Sequence, residues 1–259
     1  MSDYEVNGLD VSAWQDDNTT PKQIDFVKAK AAGAQFIIIK ATQLTKDQDF
    51  DYNWRECKAA GIPRGAYCFG HWTSSAAIVS KNFVDALRGD SGEIYPTLDI
   101  ENLYSSGYKV PLPPRANMLK WIMQFKDYVE SELQRKMMIY LNPGMINYLK
   151  PIPDWMLAMP LWIAHWQRNY AGILYPKTPA IAPWEKWTFW QTSDKGDGLL
   201  YGMESKQVDI DWYNGTKYDF NNEFAQQPPI PPPYPQPLTY EQKVDLLWEA
   251  HPELHVNLL

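Results

Sequence analysis

Two segments of the chain, AAGAQFIII and AAGIPRGAY, repeat one pattern in which a helical stretch stops on a glycine and an apolar run follows at once. Gly33 and Gly61 suit the left-handed cap that ends a helix. Helix, stop and buried strand in succession make βα units, and successive βα units lay their strands side by side and parallel. The pattern extends in both directions. VNGLDVS reads as a strand before the helix IDFVKAKAAG; after PRGAYCFGHW come a helix over SSAAIVSKNFVDALRG, the strand IYPTLDIE, a long helix over NMLKWIMQFKDYVESELQ and the strand KMMIYLN. Five βα-like units therefore precede a half in which LWIAHW, WTFWQTS and VDIDWYNG read as strands joined by Pro-rich loops, with no comparable helix. The expected fold is α/β: an irregular, flattened, TIM-like (β/α) barrel, incomplete in its second half, with its chemistry at the C-terminal ends of the strands.

The barrel pattern occupies residues 1–225, and the 259-residue length suits one such domain with an appendage. Residues 226–237, QQPPIPPPYPQP, contain seven prolines and read as a semi-rigid spacer. Residues 238–259 form a tail with a capping-box spacing, Thr239 to Gln242, and one apolar helical face made of Tyr240, Val244, Leu247 and Trp248. That face is too small to be a core, so the helix is expected to dock on its own domain or on a second copy.

A net charge of −7 leaves no basic face for phosphates, which argues against a nucleic-acid partner. No apolar run approaches the length of a bilayer span, so no membrane insertion is expected. The start, MSDYEVNGLDVS, carries no secretory signal pattern; the chain is expected to be made in the cytoplasm. Cys57 and Cys68 read as two buried free thiols, and the four histidines show no metal-ligand spacing, so neither a metal nor a cofactor is expected.

The segment TLDIE is the most informative. Asp99 and Glu101 stand two apart at the end of a strand, so both side chains point to one face. Carboxylates held that close repel, which separates their pKa values and suits the acid and base work of glycoside hydrolysis. Solvated residues after a strand, or ligands of a divalent ion, would leave the same spacing. Asp10 ends the apolar step of GLDVS, and Asp209 and Asp211 sit in VDIDW. If the barrel closes, its first and last strands meet and bring Asp10 and Asp209 to the Asp99 and Glu101 site. Tyr67 and Phe69 share a strand face, and Tyr140, Trp162 and Trp166 are further candidates for sugar contact, although core packing accounts equally well for each. Trp187 and Trp190 are assigned mainly to packing.

With these segments in hand, the chain resembles glycoside hydrolase family 25, the lysozymes of phage, bacteria and fungi. GLDVSAWQ, FIIIKAT, the Phe50 and Asn53 pair ahead of AAGIPRGAYCF, PTLDIE, MIYLN, LWIAHW, WTFWQTS and VDIDWYNG follow in family order over residues 7–215. The resemblance implies a muramidase that cleaves the β-1,4 bond between N-acetylmuramic acid and N-acetylglucosamine in bacterial peptidoglycan. It makes Glu101 the general acid/base and Asp99 the assistant at the anomeric carbon, with Asp10 and Asp209 completing the cluster and Asp211 secondary. With a wall target and no recognisable signal pattern, release through a phage holin or host lysis is the expected route, a signal that the sequence does not show being the alternative. Gln43, Cys68 and Trp166 depart from the residues common in the family, which bears on saccharide contacts. A glycosidase for chitin, a sugar-binding module without activity and a structural phage component are the competing readings.

Overall fold

The computed structural model describes residues 4–16, 22–166 and 178–224. The spacer 226–237 and the tail 238–259, with its expected docking, lie outside the described residues. In chain order the strands are β1 (Asn7–Val11), β2 (Ile37–Thr42), β3 (Arg64–Phe69), β4 (Thr97–Asp99), the small hairpin β5 (Tyr104–Ser105) and β6 (Tyr108–Lys109), β7 (Met138–Leu141), β8 (Leu161–Ala164), β9 (Phe189–Asp197) and β10 (Gln207–Tyr213). The helices are α1 (Phe26–Ala31), α2 (Phe50–Ala59), α3 (Ala76–Ala86), α4 (Arg115–Leu133), α5 (Pro143–Leu149), α6 (Asp154–Leu157) and α7 (Lys217–Phe224).

Eight strands close into a barrel in the order β1-β10-β9-β8-β7-β4-β3-β2. Seven run parallel, and β10 runs against both of its neighbours, β9 and β1. The sheet is therefore complete, where the sequence pattern suggested a gap. An antiparallel closing strand needs only a short turn, so a missing crossover helix is no sign of a missing strand. The second half also contains helices that the pattern did not show. Asn142 caps α5 by accepting the Met145 N–H at 3.0 Å, with Pro143 in the first turn, so NPG starts a helix where it reads as a loop. The two glycine stops stand as expected, with φ of 105° at Gly33 and 66° at Gly61.

Alternation along each strand divides the core in two. On β2, Ile37 and Ile39 join the outer core with Val79 and Phe83 of α3 and Ile122 and Phe125 of α4, while Ile38 joins the barrel interior. Inside, Tyr67, Met138, Tyr140, Trp162 and Phe189 fill the lumen, and α7 adds Phe220 and Phe224 against Phe36 and Phe189. Each fully buried ring of this kind contributes about 1.5–3 kcal/mol, and together these rings leave the lumen packed rather than open. Among the described residues, no helix is long and apolar enough to cross a membrane.

Candidate active site

The register of the barrel assembles the acids. Asp10 of β1 lies directly opposite Asp209 of β10, a pairing that exists only because the first and last strands meet. Asp99 is the last residue of β4, and Glu101 stands two residues beyond the strand end. Nine of the residues singled out from the sequence, Asp10, Tyr67, Phe69, Asp99, Glu101, Tyr140, Trp162, Trp166 and Asp209, line one cleft of about 300 Å³ at this mouth. A somewhat larger cavity, about 370 Å³, opens at the opposite end beside Tyr95, Trp184 and Glu223. There Glu223 is committed to the hydroxyls of Tyr95 (2.8 Å) and Tyr213 (2.6 Å), so convergent carboxylates rather than size mark the site.

Within the cleft the side chains fall into a rim and a floor. Trp162 is only 1% exposed, and its indole N–H donates to Asp211 at 2.7 Å. Together with Tyr67 and Tyr140, whose rings meet Trp162 edge-on at 6.0 and 4.6 Å, it forms a floor that offers a sugar ring edges rather than a flat face. Asp211 is fully buried and does not line the cleft. Cys68 also lies away from it, packed in the outer core, so this departure from the family does not touch a saccharide there. Both cysteines are buried and unbridged, and burial pushes the Cys68 thiol up to about 12.

Burial is the largest influence on every acid in the group, and it favours the protonated form. Asp209 is pushed up to about 9 by burial and then by Asp10, Asp194 and Glu101. Asp211 is pushed up to about 8, burial outweighing its hydrogen bonds to Asp10 and Trp162. Asp10 is held well above the ordinary carboxylate range by burial and by Asp211. Burial raises both Asp99 and Glu101; the more deeply set Asp99 is raised further by Glu101 and Asp10, while Lys40 pulls both down. Burial and mutual repulsion thus disfavour two negative charges on this pair at once, with more raising influences converging on Asp99 than on Glu101. Among the described residues, Asp99 Oδ1 is buried with no hydrogen-bond partner.

The structure adds Ser12, Trp14, Gln15, Lys40 and Gln191 to the lining. Lys40 points its ammonium at Gln43 Oε1 (2.7 Å) and lies 5.1 Å from the centre of the Phe69 ring. Burial lowers its pKa, opposed by Asp47, Asp99 and Glu101. Gln191 is a hub: its amide oxygen accepts from Tyr140 (3.0 Å) and Trp166 (2.7 Å), and its nitrogen donates to Asp10 at 2.6 Å. Alternation could have found both, since Lys40 follows the inward Ile38 by two and Gln191 follows Phe189 by two. Among the described residues, no three His, Cys, Asp or Glu side chains are grouped so as to hold a metal ion.

An α/β barrel with a cluster of carboxylates at the C-terminal mouth of its strands is an arrangement that suits a hydrolase of the glycosidase type. Residues 9–198 match the model of glycosyl hydrolases family 25, and the chain belongs to that family. It is a glycoside hydrolase. Lysozyme M1 of Streptomyces globisporus is 32% identical over 218 residues, 82% of this chain and 68% of that protein. The bacterial lysozyme structure from Streptomyces coelicolor superposes with a TM-score of 0.69 at 29% identity, covering 87% of this chain and all of that one (100%). A family 25 glycosyl hydrolase from Bacillus anthracis gives a TM-score of 0.70 at 23% identity over 85% of this chain and 94% of that one, a likeness of fold.

Proposed function

We propose that the protein is an N-acetylmuramidase that hydrolyses the β-1,4 bond between N-acetylmuramic acid and N-acetylglucosamine in bacterial peptidoglycan, with retention of configuration. The observation that carries this reading is the unpartnered Asp99 Oδ1 beside Glu101 in the cleft. A buried carboxylate oxygen without a donor is costly, and the N–H of a 2-acetamido group is the donor such a substrate brings. That bond favours ionised Asp99, which releases the shared proton to Glu101 as the sugar binds. Glu101 then protonates the departing glycosidic oxygen as the C–O bond breaks. The acetamido carbonyl oxygen, oriented by Asp99, attacks the anomeric carbon from the other face. Water opens the resulting ring, giving its proton to Glu101, so two inversions return the β-anomer and restore the starting protonation. Asp10 and Asp209 complete the acidic wall on the side of β1 and β10.

Mass spectrometry of fragments released from purified peptidoglycan tests the bond: reducing ends on muramic acid are expected, and cleaved amide bonds, or no cleavage, would overturn the reading. Proton NMR of the first-formed reducing end tests the stereochemistry, with the β-anomer expected and an initial α-anomer ruling retention out.

A further inference from the structure

Trp14 (82%), Tyr108 (80%), Tyr218 (74%) and Tyr104 (67%) are the most exposed large aromatics of the described residues; Tyr218 lies on α7, Trp14 in the turn after β1, and Tyr104 and Tyr108 on the hairpin after β4. Trp14 lies four residues after Asp10 and lines the cleft. It is held rigidly. Ser12 accepts the Trp14 N–H at 3.2 Å, Gln15 closes the cap by accepting the Ser12 N–H at 2.8 Å, and the Gln15 carbonyl receives the backbone of Glu204 and Ser205 at 3.1 and 3.2 Å. This fixed turn leaves the indole face in solvent.

Tyr104 and Tyr108 sit on the β5–β6 hairpin, which starts three residues after Glu101, a span of at most about 11 Å. Ser106 and Gly107 have φ of 52° and 81°, the positive pair that a tight two-residue hairpin turn requires. Buried Leu103 anchors the base of the hairpin, its carbonyl accepting the Val110 N–H at 2.8 Å. Tyr104 pairs with Lys109 and Ser105 with Tyr108, so the ribbon carries one tyrosine on each face. It is a stiff arm, and neither ring is used for packing.

The two aromatic elements are spread around the mouth. β1 and β4 are three steps apart in a ring of eight, so Trp14 and the hairpin stand on nearly opposite rims with the acids between them. The geometry points to an extended saccharide site: Trp14 and the Tyr104–Lys109 hairpin hold glycan rings beyond the two that flank the scissile bond, and they select long strands over short ones. The occupant is a continuation of the substrate, because Trp14 lines the cleft itself, the hairpin begins within about 11 Å of Glu101, and both elements present exposed aromatic rings. Sugar rings carry apolar C–H faces that stack on exposed aromatics and so remove apolar surface from water.

This inference rests on the muramidase reading, and the experiment separates the two. Wild type, Trp14→Ala and the double variant Tyr104→Ala/Tyr108→Ala are compared on soluble uncrosslinked peptidoglycan strands and on the disaccharide of N-acetylmuramic acid β-1,4-linked to N-acetylglucosamine, which supplies only the two rings that flank the scissile bond. All three positions are exposed, so melting temperatures should agree with wild type. The Tyr104→Ala/Tyr108→Ala variant is expected to lose about 3- to 10-fold in kcat/KM on long strands and less than about 2-fold on the disaccharide; Trp14→Ala, whose ring also lines the cleft, is expected to lose several-fold more on long strands than on the disaccharide. Equal losses on both substrates, or no loss on either, overturn the extended site while wild-type cleavage leaves the muramidase reading intact. Wild type that cleaves neither substrate overturns both.

Discussion

An indole N–H can only donate, and this fixes the orientation of Gln191. Its amide oxygen must face Trp166, which turns the amino group toward Asp10 Oδ2 at 2.6 Å. An amino group likewise only donates, so Asp10 Oδ2 is the acceptor of this bond. Gln191→Glu keeps the shape but sets a further acid against Asp10. Its expected result is at least a tenfold fall in kcat near neutral pH, with both limbs of the pH–rate profile moved upward, since a like charge raises the cluster. A profile that keeps its position while the rate falls would reduce Gln191 to a packing role. At the reacting pair, Glu101→Gln should lower kcat by about 10²–10⁴-fold without unfolding the chain. A variant that retains more than about a tenth of the wild-type rate removes Glu101 from the acid role. Asp209→Asn should cost more activity than Asp211→Asn, because Asp209 lines the cleft and Asp211 lies beneath it. These four acids and Glu101's neighbour Asp99 were legible because the period of a strand and the polarity of a barrel place them. Lys40 and Gln191 were less so: a lysine ending an apolar run and a neutral amide announce no chemistry until the closed ring shows which way they face.

At the scale of elements, β3 opens on Arg64, whose side chain is wholly buried at the end of the barrel away from the cleft. The guanidinium donates to the Trp54 carbonyl (2.9 Å), Asp90 (3.0 Å) and Glu93 (3.1 Å), and lies 4.2 Å from the centre of the Trp54 ring. It ties α2, β3 and the turn before β4 together. Removing one partner of a buried ion network costs about 3–5 kcal/mol; the partial exposure of Asp90 (33%) places Arg64→Met near the lower end. At about 2–4 °C per kcal/mol for a domain of this size, the melting temperature should fall by roughly 6–12 °C. Arg64→Lys keeps the charge but loses the planar fork, and should fall between. A loss under about 2 °C for Arg64→Met would show the network to be replaceable by apolar packing. The elements of this half were readable from Gly33 and Gly61, which mark chain reversals that only a left-handed residue makes cheaply. The later half lacked such marks: α5 hides behind NPG, and β10 closes the ring antiparallel, without a crossover to announce it.

For the whole molecule, the acids that make the cleft also set how stability responds to pH. Burial, the main cause for both, pushes Asp209 up to about 9 and Asp211 up to about 8, whereas an aspartate in the unfolded chain titrates at ~3.9. Above pH ~4 the unfolded chain has released protons that the folded chain still holds, so stability declines as the pH rises. Their contribution is fully present below pH ~4 and is lost progressively up to pH 8–9. Asp90 opposes this at the acid end: burial would raise it, but Lys58 and Arg64 outweigh burial and hold it below its ordinary value. Its contribution is present above pH ~4 and is lost as the pH falls through its folded value. The two trends place maximum stability in the mildly acidic range, near pH ~4–5, and wild type should melt several degrees lower at pH 9 than at pH 5. Asp211→Asn removes one of the titrating groups while its amide oxygen still accepts the Trp162 N–H. Its melting temperature should therefore vary less over the same interval and exceed that of wild type at pH 9. Thermal melts of the two proteins at unit pH intervals decide the matter: a wild-type curve that is flat or rising from pH 5 to pH 9 would mean that the cleft ionises without strain, and that its acids are not held protonated by the fold.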